Sequence, residues 1–142
     1  MTDNAATRRT LDQKRAEHAL NNIQAIRDDK NDGYYVSYVS SLPATIVMNG
    51  LGQALVTQLA KAKGSQGANS HYLLFHHVAG WLSQQIPEIR SPIKNDFKPV
   101  IERLMQADQQ VYLRAQAEAM AYLNWLKQFA RAYLAEKEGQ RD

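Results

Sequence analysis

The chain has 142 residues, 44% of them hydrophobic, a net charge of +3 and no cysteine. One domain of that length hides roughly 68–70% of its unfolded surface, whereas two would each be marginal. The missing thiols exclude a disulfide framework, a cysteine nucleophile and a thiolate metal site, and no stretch approaches the roughly 18 apolar residues that a membrane span requires.

The opening MTDNAATRRTLDQKR lacks the apolar core of a signal peptide. Residues 1–10 therefore read as a flexible N-terminus of a cytoplasmic protein, and 11–138 as one helical bundle domain. Thr10 with Gln13 fits a capping box that opens a helix from about Leu11 to Arg27, with Ala16, Ala19, Leu20, Ile23 and Ile26 on its apolar face. The turn signal Asp28 to Gly33 ends it. Tyr34 to Ser40 has a strand-like composition, but the chain holds no second strand to pair with it. Tyr34, Tyr35, Tyr38 and Val39 also share a helix face, so the segment is assigned as helix. Ser41 is expected to cap a separate short helix with Pro43 in its first turn, closed at Asn49-Gly50 by a left-handed residue. The next helix spans about Leu51 to Lys61. Lys63 to Asn69 has the composition of a flexible loop, and Ser70 is expected to cap a helix from His71 to Gln85 with Leu74, Val78, Trp81 and Leu82 inward. Ile86 to Pro99 holds three of the four prolines and forms a rigid connector. Asp96 or Phe97 opens a short helix to about Ala107. Asp108 caps the last helix, which meets no Gly or Pro before Lys137 and would measure about 45 Å. Along it Tyr112, Ala115, Ala119, Tyr122, Leu126, Phe129 and Tyr133 recur at steps of three and four, an apolar seam. The fold class is all-α: a single compact helical bundle of six to seven helices with a long C-terminal helix.

The side chains that usually carry chemistry are sparse. His76 and His77 are adjacent, so on a helix they point about 100° apart, and His71 sits off the three-and-four spacing from both. No carboxylate lies near enough in sequence to serve them as a base. Asp28-Asp29, Glu136 and Glu138 form no acid/base dyad, and Glu118 reads as the helix partner of Arg114 four residues earlier. Gly50-Leu51-Gly52 lacks the spacing and the lysine of a phosphate loop. From Gly33 to Pro87 there is no Asp or Glu. Such a stretch is either the most buried part of the domain or a surface that does not repel a polyanion. Cations cluster at Arg8, Arg9, Lys14 and Arg15, at Lys61 and Lys63, and at Lys127 and Arg131, which share a face. Each alone reads as a solvated surface charge; if the three clusters converge on one ribbon, they would contact phosphates rather than bases. Trp125 lies off the seam, where it packs on a second helix layer or anchors a partner protein.

Three strings appear in order: LDQKRAEHAL (Leu11 to Leu20), LPATIVMNGLGQAL (Leu42 to Leu55) and YLNWLKQFARA (Tyr122 to Ala132). With them the chain resembles the small α-helical subunit of the type III-B, or Cmr, CRISPR–Cas effector complex. The resemblance implies a compact helical protein without catalytic activity or cofactor. It implies that several copies stack head to tail as a minor filament beside the guide-binding backbone subunit. The two filaments would hold the duplex of CRISPR guide RNA and target RNA in antiviral defence. The partners implied are other Cmr subunits, further copies of the chain and both RNA strands. Arg15 falls in the Arg-Ala opening of the first motif and Lys127 in the Trp-Leu-Lys motif, which makes them the leading candidates for RNA or inter-subunit contact. Leu42, Pro43, Gly50, Leu51 and Trp125 match structural positions. Gln128 stands where many relatives carry a second basic residue, and Arg131 one turn on can compensate. Lys14, Lys61, Lys63 and Arg131 rest on charge alone. Two rival readings are a helical adaptor that binds only protein, through Trp125 and the tyrosine face, and a metal-dependent hydrolase built on His71, His76 and His77.

Overall fold

Thr10 Oγ1 accepts the Gln13 N–H at 3.0 Å and Gln13 Oε1 accepts the Thr10 N–H at 2.8 Å. Two of the N–H groups that a helix start leaves open are thus satisfied, and α1 runs Leu11–Asp28. The computed structural model describes residues 8–28, 33–64 and 67–139, with side chains through 26 in the first stretch and through 134 in the last. Four expectations lie partly or wholly outside them: the N-terminal segment through residue 7, the Asp28 to Gly33 turn at 29–32, the Lys63 to Asn69 loop at 65–66, and the side chains of Glu136 and Glu138. The further elements are α2 (Tyr35–Asn49), α3 (Leu51–Lys61), α4 (Ala68–Gln85), a 3₁₀ turn over Pro87–Ile89, α5 (Lys98–Gln106) and α6 (Gln109–Gly139). There is no strand among the described residues, and the fold is an all-α bundle closed by a helix of 31 residues.

Two helix starts differ from expectation. α2 is continuous through Pro43, and Ser41 caps nothing: its Oγ donates back to the carbonyls of Ser37 and Tyr38 at 3.2 and 3.3 Å, inside the helix. An interior proline costs ~3 kcal/mol. Tyr35, Val39, Leu42 and Ile46 are all buried on this helix, each contributing ~1.5–3 kcal/mol, so burial outweighs the missing hydrogen bond and the helix does not break. α4 begins at Ala68, ahead of the expected cap, and Ser70 is buried in its first turn. The cap position belongs to Gly67, whose left-handed backbone (φ +73°) lies against the Tyr38 ring where a Cβ would collide. The other punctuation is as expected. Gly50 takes φ +87° and donates to Ile46 O at 2.7 Å, Asp96 Oδ1 accepts the Lys98 N–H at 3.1 Å, and Asp108 Oδ1 accepts the Val111 N–H at 2.9 Å.

α1 and α2 pack along α6, and α3 lies on α4. α4 runs through the centre, burying Leu74, Val78, Trp81 and Leu82 together with His71, Phe75 and His77. The acid-free stretch therefore coincides with the helices that build the interior. On α6 the seam holds at Ala115, Ala119, Tyr122 and Leu126, all fully buried. Beyond Leu126 the buried face rotates to Ala130 and Leu134, while Phe129 is half-buried and Tyr133 is exposed. A helix this long crosses its partners at an angle, so no single stripe faces them from end to end. Near its start α6 also serves α3: Gln116 Oε1 accepts the Leu51 N–H at 3.0 Å and Tyr112 Oη accepts the Gly52 N–H at 2.9 Å, closing donors that α3's first turn would leave open.

Candidate functional site

α1 and α6 pack against each other and carry most of the candidate residues. Arg15 reaches across to Glu118, with Nε 2.6 Å from Oε2 and Nη2 2.9 Å from Oε1, while Nη1 lies 3.1 Å from Asp12 Oδ1. This fork is the strong, planar form of the arginine–carboxylate pair. It is largely withdrawn from water, the two side chains being 18% and 11% exposed. Trp81 Nε1 donates to the same Glu118 Oε2 at 2.9 Å. Burial pushes the Glu118 carboxyl up, but the hydrogen bonds from Arg15 and Trp81 outweigh it and hold the group below the usual carboxylate range. Glu118 is therefore not the partner of Arg114, which reaches Glu88 on the 3₁₀ turn at 3.1 Å instead. The reason is helix phase: Glu118 borders the seam that meets α1, and Arg114 is turned to solvent.

Arg15 and Trp125 join one network through Asp12, whose Oδ1 also accepts the Trp125 Nε1–H at 3.0 Å. Trp125 is half-buried, stacked on Phe129 at 5.6 Å, and Phe129 leads to Tyr133 at 6.5 Å. The three rings form a ladder on the flank of α6. Lys14 points elsewhere. It lines a groove of about 570 Å³ with Arg9, Glu17, His18 and Gln84, in which Arg9 is paired to Glu17 at 2.6 Å. Lys127 is half-buried and Arg131 exposed, one turn apart on α6. Among the described residues Lys14, Lys127 and Arg131 have no carboxylate partner. Lys61 and Lys63 are exposed at the far end of α3, about 15 Å along that helix from its contact with α6 at Leu51. The structure thus gathers Arg15 and Trp125, puts Lys14 beside them on the outer side of α1, and sets Lys61 and Lys63 apart.

The three histidines do not converge. His77 Nδ1 meets the Tyr35 hydroxyl at 2.7 Å in the core, and burial pushes its pKa down to about 3, so the ring is neutral. His71 Nδ1 meets Gln58 Oε1 at 2.7 Å, and its ring stacks on Tyr38 at 3.8 Å. His76 tilts against Phe97 at 4.8 Å. No group of three histidines or carboxylates among the described residues is placed to hold a metal ion. A polar cluster that the sequence pattern did not flag lies between α1 and α6. His18 Nδ1 is 2.7 Å from the Tyr122 hydroxyl, and Asn22 Nδ2 is 2.9 Å from the same oxygen. The four-residue step from His18 to Asn22 was the available signal. No helix among the described residues is long and apolar enough to cross a membrane.

Against known proteins, a family model described as "CRISPR-associated protein (Cas_Cmr5)" matches residues 11–133. The crystal structure of a CRISPR-associated Cmr5 family protein from Thermus thermophilus shares the fold, with a TM-score of 0.67 at 24% sequence identity, over 86% of this chain and 98% of that one.

Proposed function

The chain belongs to the CRISPR-associated Cas_Cmr5 family, a small subunit of a Cmr system, and from that premise we propose that it is a non-catalytic subunit of a type III-B effector complex that stacks beside the guide-binding backbone subunit and meets target RNA through cationic surface. The observation that carries the RNA reading is the division of its cations. Arg15 is committed to Glu118 and Asp12, whereas Lys14, Lys127 and Arg131 stand without a carboxylate among the described residues. Lys14, Lys127 and Arg131 are then the phosphate contacts, Lys61 and Lys63 extend them on a second copy or a second strand segment, and Arg15 positions α1. The cleft of about 540 Å³ beside α5 is lined by Glu88, Glu102 and Asp108 against the single cation Arg103 and faces away from the RNA, since an excess of carboxylates repels a polyanion. The Trp125–Phe129–Tyr133 ladder supports a protein contact on the same helix, with Trp125 as its anchor.

Neutralising Z phosphates of a single strand gives a salt slope of about −0.7Z. Three cations from one copy bind weakly alone, and stacked copies supply avidity. The test is reconstitution with the chain's own partner subunits and RNA. The combined Lys14→Glu, Lys127→Glu and Arg131→Glu variant should assemble but retain target RNA less well, with a shallower salt slope. Unchanged RNA retention would leave the protein-only adaptor as the better reading.

A further inference from the structure

A cleft of about 450 Å³ opens where α1, α4 and the connector ahead of α5 converge, a size within the ~300–1,000 Å³ of small-molecule sites. Its lining combines three chemistries. His76 and Phe97 supply an aromatic wall, their ring centroids 4.8 Å apart. Gly80 lets that wall sit close to α4, since a Cβ there would stand 3.0 Å from the Phe97 ring.

His18 and Asn22, one turn apart on α1, supply a donor and an acceptor. The Asn22 amide donates to Tyr122 Oη at 2.9 Å and lies 3.2 Å from His18 Nδ1, so Nδ1, faced by an amide N–H and by the Tyr122 hydroxyl at 2.7 Å, is the ring's accepting nitrogen. The imidazole then carries its hydrogen on Nε2, and Asn22 keeps its Oδ1 lone pairs. Burial lowers the His18 pKa, which agrees with a neutral ring.

The third component is charge. Arg90 and Lys94 line the cleft and no carboxylate does. Arg90 is held in place by donating to the Ser83 and Gln84 carbonyls at 2.9 and 2.7 Å. The connector carrying Lys94 is shaped by Asn95 in the left-handed region, φ +63°, and by Ser91 Oγ, which accepts the Ile93 N–H at 3.1 Å. The nearest acid in sequence, Asp96, does not line the cleft and directs its Oδ1 to the Lys98 N–H, although its charge is felt at His76.

Two cations alone would describe an anion site, and an aromatic wall alone an apolar one. With a donor–acceptor pair between them they describe a nucleotide. We propose that this cleft binds one unstacked nucleotide of single-stranded RNA. The base lies against Phe97 and His76, its hydrogen-bonding edge meets His18 Nε2 and Asn22 Oδ1, and its phosphate sits at Lys94 and Arg90. The cleft shares His18 and Gln84 with the groove that holds Lys14, so a strand tracking Lys14 can turn one base into it. The inference rests on the RNA-facing reading above but locates a different, base-accepting site.

The test is a titration of the isotope-labelled full chain with AMP and with UMP, followed by backbone amide chemical shifts, with inorganic phosphate as control. Saturable shifts are expected at Gly80, Ser91 and Asn95 and none at Lys61 or Lys127, with a Kd on the order of millimolar. Lys94→Glu, an exposed change that does not touch the core, should weaken binding at least about tenfold, and Phe97→Leu about tenfold by loss of stacking. Absence of shifts in the cleft overturns the proposal, and so does phosphate binding as tightly as AMP. The parallel measurement is RNA retention by the reconstituted complex carrying the Lys14, Lys127 and Arg131 reversals. No nucleotide binding with normal reversal sensitivity removes the cleft alone. Nucleotide binding with no reversal sensitivity removes the cation reading and leaves the cleft.

Discussion

Glu118 should be the most sensitive polar residue of the α1–α6 interface, and the cost of removing it can be worked from its partners. Truncating one member of a buried ion pair typically costs ~3–5 kcal/mol, because the other charge is left without compensation. The Arg15 guanidinium keeps 18% of its exposure, so water reaches it and the figure falls to ~2–3 kcal/mol. Glu118→Ala also orphans the Trp81 indole N–H, adding ~1 kcal/mol, for a total of ~3–4 kcal/mol. Glu118→Gln keeps an acceptor for Trp81 and should cost ~1 kcal/mol less. Arg15→Ala should cost ~2–3 kcal/mol. The cycle is closed with Arg15→Met and Glu118→Leu, each of which strands the opposite charge at about the cost of its alanine counterpart. The double change Arg15→Met with Glu118→Leu buries no charge and should lie within ~1 kcal/mol of the parent, giving a coupling energy of ~2 kcal/mol or more. Urea unfolding followed by helical circular dichroism measures each corner of the cycle. The cycle also separates two roles for Arg15. If Arg15 only positions α1, any loss of RNA retention in Arg15→Met is recovered in the double variant. An Arg15→Ala variant of parental stability that nonetheless loses RNA would refute the reasoning.

Acid should weaken the fold before any carboxylate titrates. Burial holds His77 at about 3 and lowers His18 and His76 as well. Below the ordinary histidine value of about 6.5 the unfolded chain takes up protons that these rings refuse, so their contribution is complete above that pH and declines as pH falls. The slope approaches ~1.4 kcal/mol per pH unit for each fully displaced histidine. The urea midpoint should therefore drop steadily from pH 7 to pH 4.5, and His77→Gln should flatten the curve; a level wild-type curve would count against it. Glu118 acts lower, since its depressed carboxyl contributes above about 4.5 and loses that contribution as pH falls through its folded value. Gly50→Ala should cost ~1–2 kcal/mol, because φ is +87° and the new Cβ would stand 3.1 Å from the Tyr112 hydroxyl that receives the Gly52 N–H. Thermal unfolding reads this directly. Trp125→Ala loses the Asp12 hydrogen bond and one rung of the aromatic ladder. It should lower stability by ~1–2 kcal/mol and reduce co-purification with the partner subunits, and intact co-purification would remove Trp125 from the interface.

Where a local rule dominates, the fold was legible from the residues. The Thr10–Gln13 box, the Asp108 cap and the Asn49-Gly50 break depend on neighbours within four positions, and all three stand as expected. The misplaced boundaries are those where a distant contact prevails. Pro43 reads as a helix start, yet the burial of Leu42 and Ile46 on either side carries α2 through it. Ser70 reads as a cap, yet the Tyr38 ring, 29 residues before Gly67, fixes the start there. The drift of the α6 seam from Phe129 and Tyr133 to Ala130 and Leu134 likewise depends on where its partners end, which no period along one helix encodes.

Arg15 shows what helix phase could have added to motif matching. Arg15, Ala19, Ile23 and Ile26 follow at steps of four, four and three, so the guanidinium shares the face whose other members are fully or nearly fully buried. A charge on that face requires a counter-charge from the helix it meets, and Glu118 beside Ala119 on α6 supplies it. Lys14, about 100° away around α1, falls outside that face and lines an open groove. Motif strings collect the residues a fold cannot do without, and a buried arginine with a bidentate acid is one of them. Presence in a motif therefore argues for positioning as strongly as for contact. Under the RNA reading, the phosphate contacts belong to cations that packing leaves unclaimed, and the phase of α1 favours Lys14 over Arg15.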